Sequence, residues 1–436
     1  MDKNTSVTLF WHRRDLRIDD NAGLYHALKS GNPVLPVFIF DKEILNELED
    51  KDDARITFIY NKIEELKSAF KKHHSDIEVV YGTPEQAFTK LIEDYKVVAV
   101  YTNHDYEPYA AARDGAIKQL LAKHDIEFKT FKDQVIFERA EVVKDDGKPY
   151  TVFTPYKNKW YQKLKPFYLK AFPTEKYLKN LYPFKASALP SLTEMGFTKS
   201  NAEFPETGYE KYIADYAEKR DFPAIKGTSH IGLHLRFGTV SIRQCATDAH
   251  EAHEKIWLNE LIWREFYMMV LHHFPKTMDH AFKPDYDNIK WVNDEKQFKA
   301  WCDGETGYPL VDAGMRELNA TGYMHNRVRM VVASFLSKDL LIDWRWGERY
   351  FARKLLDYEM ASNVGGWQWA AGSGTDAAPY FRIFNPESQL KKFDPKLEYV
   401  KKWVPEYADF SKYPKPIVDH AFARDRCLKA FKAALS

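Results

Sequence analysis

Between Val7 and about Lys132, short apolar runs alternate with stretches in which apolar residues recur every three or four positions. VTLFW, PVLPVFIF, IEVVYG, VVAVYT and IEFKTF read as strands, with NAGLYHALKS, ARITFIYNKIEELKSAFKKH, TPEQAFTKLIEDY and AAARDGAIKQLLAKH as the helices between them. Strands separated by helices pair in parallel, so the pattern predicts a doubly wound α/β sheet domain over residues 1–132. Thr83-Pro84-Glu85 supplies a cap residue, a proline for the first helical position and an early carboxylate, which together mark a helix start. No GxGxxG follows the first strand, so the ordinary dinucleotide fingerprint is missing and a cofactor is expected elsewhere.

Residues 133–204 lose both periods. PYTVFTPYKNKWYQKLKPFY and NLYPFKASALPSL are rich in proline, lysine and tyrosine, and predict a long linker wrapped over the surface. Over residues 205–436 the strand signal disappears and helical patterns take over, as in WLNELIWREFYMMVLHHF and LVDAGMRELNATGYMHNRVRMVVASFLSKDLL, so this part is expected to be all α.

Composition narrows the classes. A chain of 436 residues, 44% hydrophobic and 15% aromatic, builds a sizeable core. Lys and Arg number 64 against 63 Asp and Glu, so any nucleic-acid site has to be a local patch rather than a global charge. The cysteines, Cys245, Cys302 and Cys427, lack CxxC spacing, which argues against a disulfide framework or zinc site. The pairs His73-His74 and His272-His273 also lack ligand spacing, and no metal is expected. The start has no apolar signal core and no run of about 18 apolar residues follows, so a cytoplasmic location is expected and membrane insertion is not.

Four stretches offer chemistry. On a helix, Trp257, Glu260, Trp263 and Arg264 share one stripe, and a carboxylate with a guanidinium among indoles departs from plain core. In TGYMHNRVRM, Asn326 and Met330 share one face, His325 and Arg329 the next, and Arg327 turns elsewhere, just before apolar VVASFL; a polar pocket at the helix start is expected. GTSHIGLHLRFGTVS has hydroxyls and successive amides in a Gly-flanked turn, suited to phosphate. GGWQWAAGSG places two indoles at i and i+2, about 200° apart on a helix, so Trp367 and Trp369 are not expected to share a face.

These motifs, with FWHRRDLRIDDN, SFLSKDLLIDWRWGERYF and GGWQWAAGSGTDAAPYFRIFNP, resemble the photolyase and cryptochrome family over most of the chain. The resemblance implies an α/β domain, a long linker and an all-helical domain holding a U-shaped FAD. It also implies a light-dependent repair lyase that binds DNA damaged by ultraviolet light, flips out a cyclobutane pyrimidine dimer and splits it by an electron from excited reduced FAD. Asn326 and Met330 resemble dimer-splitting enzymes, whereas (6-4) photolyases carry His at both places; Trp369 resembles class I dimer photolyases, and Glu260 the repair enzymes. A cryptochrome-like blue-light receptor without repair activity is the rival from another class. A monomer without an obligate protein partner is expected.

The resemblance also implies roles. FAD, reduced and anionic when active, is expected on Tyr216, Thr228, Ser229, His230, Ile231, Gly232, Trp257, Arg264, Arg329, Asp357, Tyr358, Glu359 and Asn363, with Arg329 paired to Asp357 and Asn363 facing flavin N5. The family often has Ser where Gly232 stands. Glu260, Asn326, Met330, Trp263 and Trp369 are the expected catalytic set at the lesion, and Arg220, Tyr267, Arg327 and Arg382 join them against DNA. Trp367, Trp344 and Trp291 match the electron-transfer chain, while Trp301 and Trp346 are expected to be packing residues. Folate-binding members have an Asn-Glu pair after the fourth strand, where YEPYAAARD places Tyr109 and Ala110, so a folate antenna is disfavoured; a deazaflavin, a flavin or no antenna stay open.

Overall fold

The computed structural model describes residues 5–186, 188–409 and 411–435. Its five strands are β1 (Ser6–His12), β2 (Val34–Asp41), β3 (Glu78–Gly82), β4 (Lys96–Asn103) and β5 (Glu127–Phe131), all parallel and ordered β3-β2-β1-β4-β5. β1 lies at the centre, where Trp11 pairs with Val37 of β2 and Thr102 of β4. Its residues from Val7 on and all of β2 are buried, which is why both read as unbroken apolar runs rather than alternating ones. The strand order reverses direction at β1, the topology expected of a doubly wound sheet. Thr83 caps the helix Pro84–Asp94 as its residues require, and Gln86 closes a reciprocal capping box with it.

The chain divides into two compact units that interleave along the sequence. One comprises residues 1–138, 164–207 and 231–251 and holds the sheet; the other comprises 139–163, 208–230 and 252–436 and, in its described residues, is helical. The stretch 133–204, expected to run over the surface, supplies both cores. Tyr182 and Phe184 pack with the sheet residues Leu35 and Val37. In the helical unit Tyr156 and Trp160 are each 1% exposed, donating their O–H and Nε1–H to the buried carboxylate of Glu265. The surface reading fails there because aromatic area outweighs the local lysines, and a buried acceptor satisfies both polar tips.

The three cysteines are buried and are not joined in disulfides. Among the described residues no helix is long and apolar enough to cross a membrane, and no cluster of His, Cys, Asp or Glu could hold a metal ion.

Candidate functional site

Four helices of the helical unit build the site. The longest, Lys255–His273, has apolar residues nearly all round, so it is buried, and only a narrow strip meets open space. Glu260, Trp263, Arg264 and Tyr267 occupy that strip at i, i+3, i+4 and i+7. The helix Asn326–Ser334 begins at His325, whose Nδ1 accepts the amide of Arg327 and so caps it. Its apolar face sinks into the core through Val328, Val331 and Val332, which turns Asn326, Arg329 and Met330 toward the same space. A π-helical turn, Phe335–Asp339, follows directly. Helices Trp344–Lys354 and Met360–Ala371 complete the walls with Phe351, Asn363, Gly366, Trp367 and Trp369.

The cavity, open to the surface on one side, measures about 400 Å³. Arg329 is anchored on its side by Asp357, with Nη2 at 2.9 and 3.2 Å from the two carboxylate oxygens, and by the Met324 carbonyl at Nε, 2.6 Å away. Arg264 donates to Glu359 at 2.8 Å. Both cations are therefore held at fixed points of the lining, which side-chain entropy would otherwise oppose. Asn363 donates both amide hydrogens to Glu348, one to its main-chain carbonyl at 3.0 Å and one to Oε1 at 2.9 Å. The amide is thereby fixed so that its carbonyl oxygen is left for the cavity. Burial pushes the Glu348 carboxyl up, and the Asn363 hydrogen bond opposes that.

Trp263 stacks on Phe153 with ring centroids 3.7 Å apart and planes 8° from parallel, which leaves its other face for the cavity. Arg220 Nη1 lies 2.5 Å from Glu260 Oε1. Burial nevertheless pushes the Glu260 carboxyl above its ordinary value, with Arg220 acting in the opposite direction. Trp367 and Trp369 emerge from different sides of their helix, as i and i+2 must, yet both reach the cavity because it wraps round that helix. Trp367 is 2% exposed and its Nε1 has no protein partner. It meets Phe351 and Trp301 edge-on at 5.0 and 6.0 Å. Trp344 is buried in the same core, and half-buried Trp291 packs against it.

Residues expected at the cofactor divide into two groups. Arg264, Arg329, Asp357, Tyr358, Glu359 and Asn363 line the cavity. Tyr216 and Trp257 stand off its lining: the Arg220 guanidinium covers the Tyr216 ring, and Trp257 stacks on Tyr209 with centroids 5.4 Å apart. Thr228 and His230 border a second cavity of about 240 Å³ together with Tyr323, His325, Lys402 and Trp403. There His230 stacks on Tyr323 at 3.7 Å, and His325 Nε2 and Trp403 Nε1 are buried without protein partners. Ser229 lies between Thr228 and His230 in the chain, and Ile231 and Gly232 fall in the sheet unit. Arg382 is exposed, and its carbonyl accepts from the buried Lys338 at 2.9 Å.

The lining suits a flat, hydrogen-bonding cofactor. Gly366 borders the cavity, and a Cβ there would meet nothing within 4 Å, so the missing side chain is cavity space. Gly347 is required for a neighbouring reason, since a Cβ there would run into the Trp367 indole. Sequence reasoning missed Glu348 and Phe153. Glu348 lies one turn after Trp344, on the same helix face, but nothing in the sequence joins it to Asn363.

Residues 257–412 match the family described as FAD binding domain of DNA photolyase, and residues 8–176 the one described as DNA photolyase. A deoxyribodipyrimidine photo-lyase of Synechococcus sp. is 37% identical, covering 98% of this chain and 95% of that protein. A bacterial class III photolyase structure from Agrobacterium tumefaciens superposes with a TM-score of 0.88 at 34% identity, covering 99% and 98% of the two chains. An archaeal photolyase structure from Sulfolobus tokodaii with two FAD molecules gives 0.86 at 34% identity over 98% and 100%.

Proposed function

Because this chain belongs to the DNA photolyase family, we propose that its 400 Å³ cavity is the place where FAD and a flipped pyrimidine dimer meet. The activity is that of a deoxyribodipyrimidine photo-lyase with FAD as its cofactor. The observation that carries the site assignment is the single lining that brings together both residue sets: Arg329, Arg264 and Asn363 for the cofactor, and Glu260, Asn326, Met330, Trp263 and Trp369 for the lesion. When bound, reduced FAD supplies the electron that light drives onto the dimer.

The chain's own residues do the rest. Asp357 and Glu359 neutralise and aim Arg329 and Arg264, so both guanidiniums present fixed donors to an anionic cofactor. Glu348 accepts both hydrogens of the Asn363 amide, so its oxygen, which accepts but does not ionise, would be offered to the bound flavin. Trp263, braced by Phe153, and Trp369 give flat walls on which extruded bases stack, on the order of 1–3 kcal/mol per base. Glu260, aimed by Arg220, offers its carboxylate oxygens to a base N–H, and Asn326 offers both an amide donor and an acceptor. Met330 and Ala333 make that part of the lining apolar. The backbone of the damaged strand is read by Arg220, Arg327 and Arg382, and Tyr267 extends the rim.

The assignment as a class I enzyme rests on Asn326, Met330, Trp369 and Glu260, and the protein acts as a monomer on DNA carrying cyclobutane dimers. Its test is repair under blue light. Reduced, FAD-loaded protein is illuminated with dimer-containing DNA and the dimers are counted; they disappear if the reading holds, and their persistence with FAD fully bound overturns it. In the same assay Glu260→Ala lowers the yield per absorbed photon roughly tenfold, the scale of one lost charge-assisted hydrogen bond, while FAD stays bound.

A further inference from the structure

The rim of the cavity carries an acid that the chemistry above does not use. Arg220 lies 2.5 Å from Glu260 through Nη1 and 4.0 Å from Asp221 through Nε, and Arg327 lies 2.8 Å from Asp221 through Nη2. Glu260, Arg220, Asp221 and Arg327 thus form a chain of alternating charge whose sum is zero. Arg327 is fixed on its remaining sides by the Phe393 ring, 4.4 Å from the guanidinium carbon, and by Met330 Sδ at 3.9 Å. Asp221 is the most open of the four, its side chain 39% exposed against 33% for Glu260, 24% for Arg220 and 20% for Arg327.

Ion pairs this exposed contribute little to stability, so stability alone gives Asp221 no reason to stand between two arginines. Its effect on DNA is larger. A bare arginine attracts any phosphate backbone, damaged or not, and that attraction carries no information about the lesion. Asp221 cancels it at the rim. A flipped dimer brings a second interaction, because a base that hydrogen-bonds to Glu260 competes with Arg220 for that carboxylate. Arg220 then turns to phosphate, and the chain of charges opens only where a lesion is present.

We propose that Asp221 is a specificity-determining residue, which holds Arg220 and Arg327 in place and cancels their charge so that undamaged backbone is not captured. This rests on the DNA-repair reading above. The test measures binding of FAD-loaded protein, by fluorescence anisotropy over a series of KCl concentrations, to two duplexes that differ only in one cyclobutane thymine dimer. Asp221→Asn is expected to bind the undamaged duplex about five times more tightly, with a salt slope steeper by about one. Its preference for the damaged duplex falls by about threefold or more. Asp221→Glu keeps the wild-type preference, and adding Arg327→Gln to Asp221→Asn removes the gain on undamaged DNA. Equal tightening on both duplexes, or weaker binding to both, overturns the proposal. A wild-type protein that does not prefer the damaged duplex instead overturns the repair reading, before any variant is made.

Discussion

His325 combines a local and a tertiary duty on one ring. Its Nδ1 accepts the Arg327 amide, which leaves Nε2 as the protonated nitrogen of the neutral ring, and the ring is 3% exposed. Burial first, and the nearby Arg329 second, hold its pKa down at about 4. The unfolded chain takes up this proton near the ordinary value of about 6.5, so the stabilising contribution is complete above that pH and is lost as the pH falls toward 4. The loss amounts to about 3 kcal/mol at most. His325→Asn keeps a capping acceptor but cannot titrate, and urea unfolding at pH 7 and pH 5 is expected to show a smaller difference for the variant. An identical difference would remove His325 from the pH response. Spacing alone places His325 on a helix face with Arg329, whereas its capping role and its depressed pKa depend on the fold, on burial and on Arg329, which spacing does not reveal.

At the scale of elements, the Met360–Ala371 helix carries Asn363, Gly366, Trp367 and Trp369 to one cavity from different parts of its circumference. Trp367 has a buried Nε1 without a protein partner and sits in the core that also holds Trp344. Trp367→Phe is expected to slow photoreduction of oxidised FAD at least tenfold, a barrier increase of about 1.4 kcal/mol or more, while chemically reduced protein still repairs dimers. Loss of both activities would show that the ring is needed to shape the cavity. The stripe on Lys255–His273 was legible from spacing alone as far as Glu260, Trp263 and Arg264; Trp257, one turn earlier, stacks on Tyr209 instead of facing the cavity. That end of the stripe is decided by what packs against it. Residues 139–163 misled for the same reason: Tyr156 and Trp160 read as part of a surface linker until Glu265 is seen between them.

At the scale of the whole molecule, the helical unit is built round space that its own side chains do not fill. Buried donors at Trp367, His325 and Trp403 lack protein partners, a cost that a bound ligand or water offsets. Removing FAD from the holoprotein is expected to lower the thermal midpoint of the helical unit, by about 2.7 kcal/mol of stability relative to free FAD at a hundredfold excess over its dissociation constant. Calorimetry with and without added FAD measures this, and no shift would mean that the cofactor contributes nothing to holding the cavity walls. The sequence by itself determined the parallel sheet, the helical remainder and the faces that carry Glu260, Asn326, Met330 and Arg329, because hydrophobic period and helical spacing are local and survive in one dimension. Only the tertiary structure decided that Glu348 orients Asn363, that Asp221 joins Arg220 to Arg327, and that two indoles on different sides of one helix reach a common cavity. Those pairings unite residues far apart in the chain through burial and charge, and no periodicity along the sequence encodes which distant partner a buried amide or an exposed carboxylate will find.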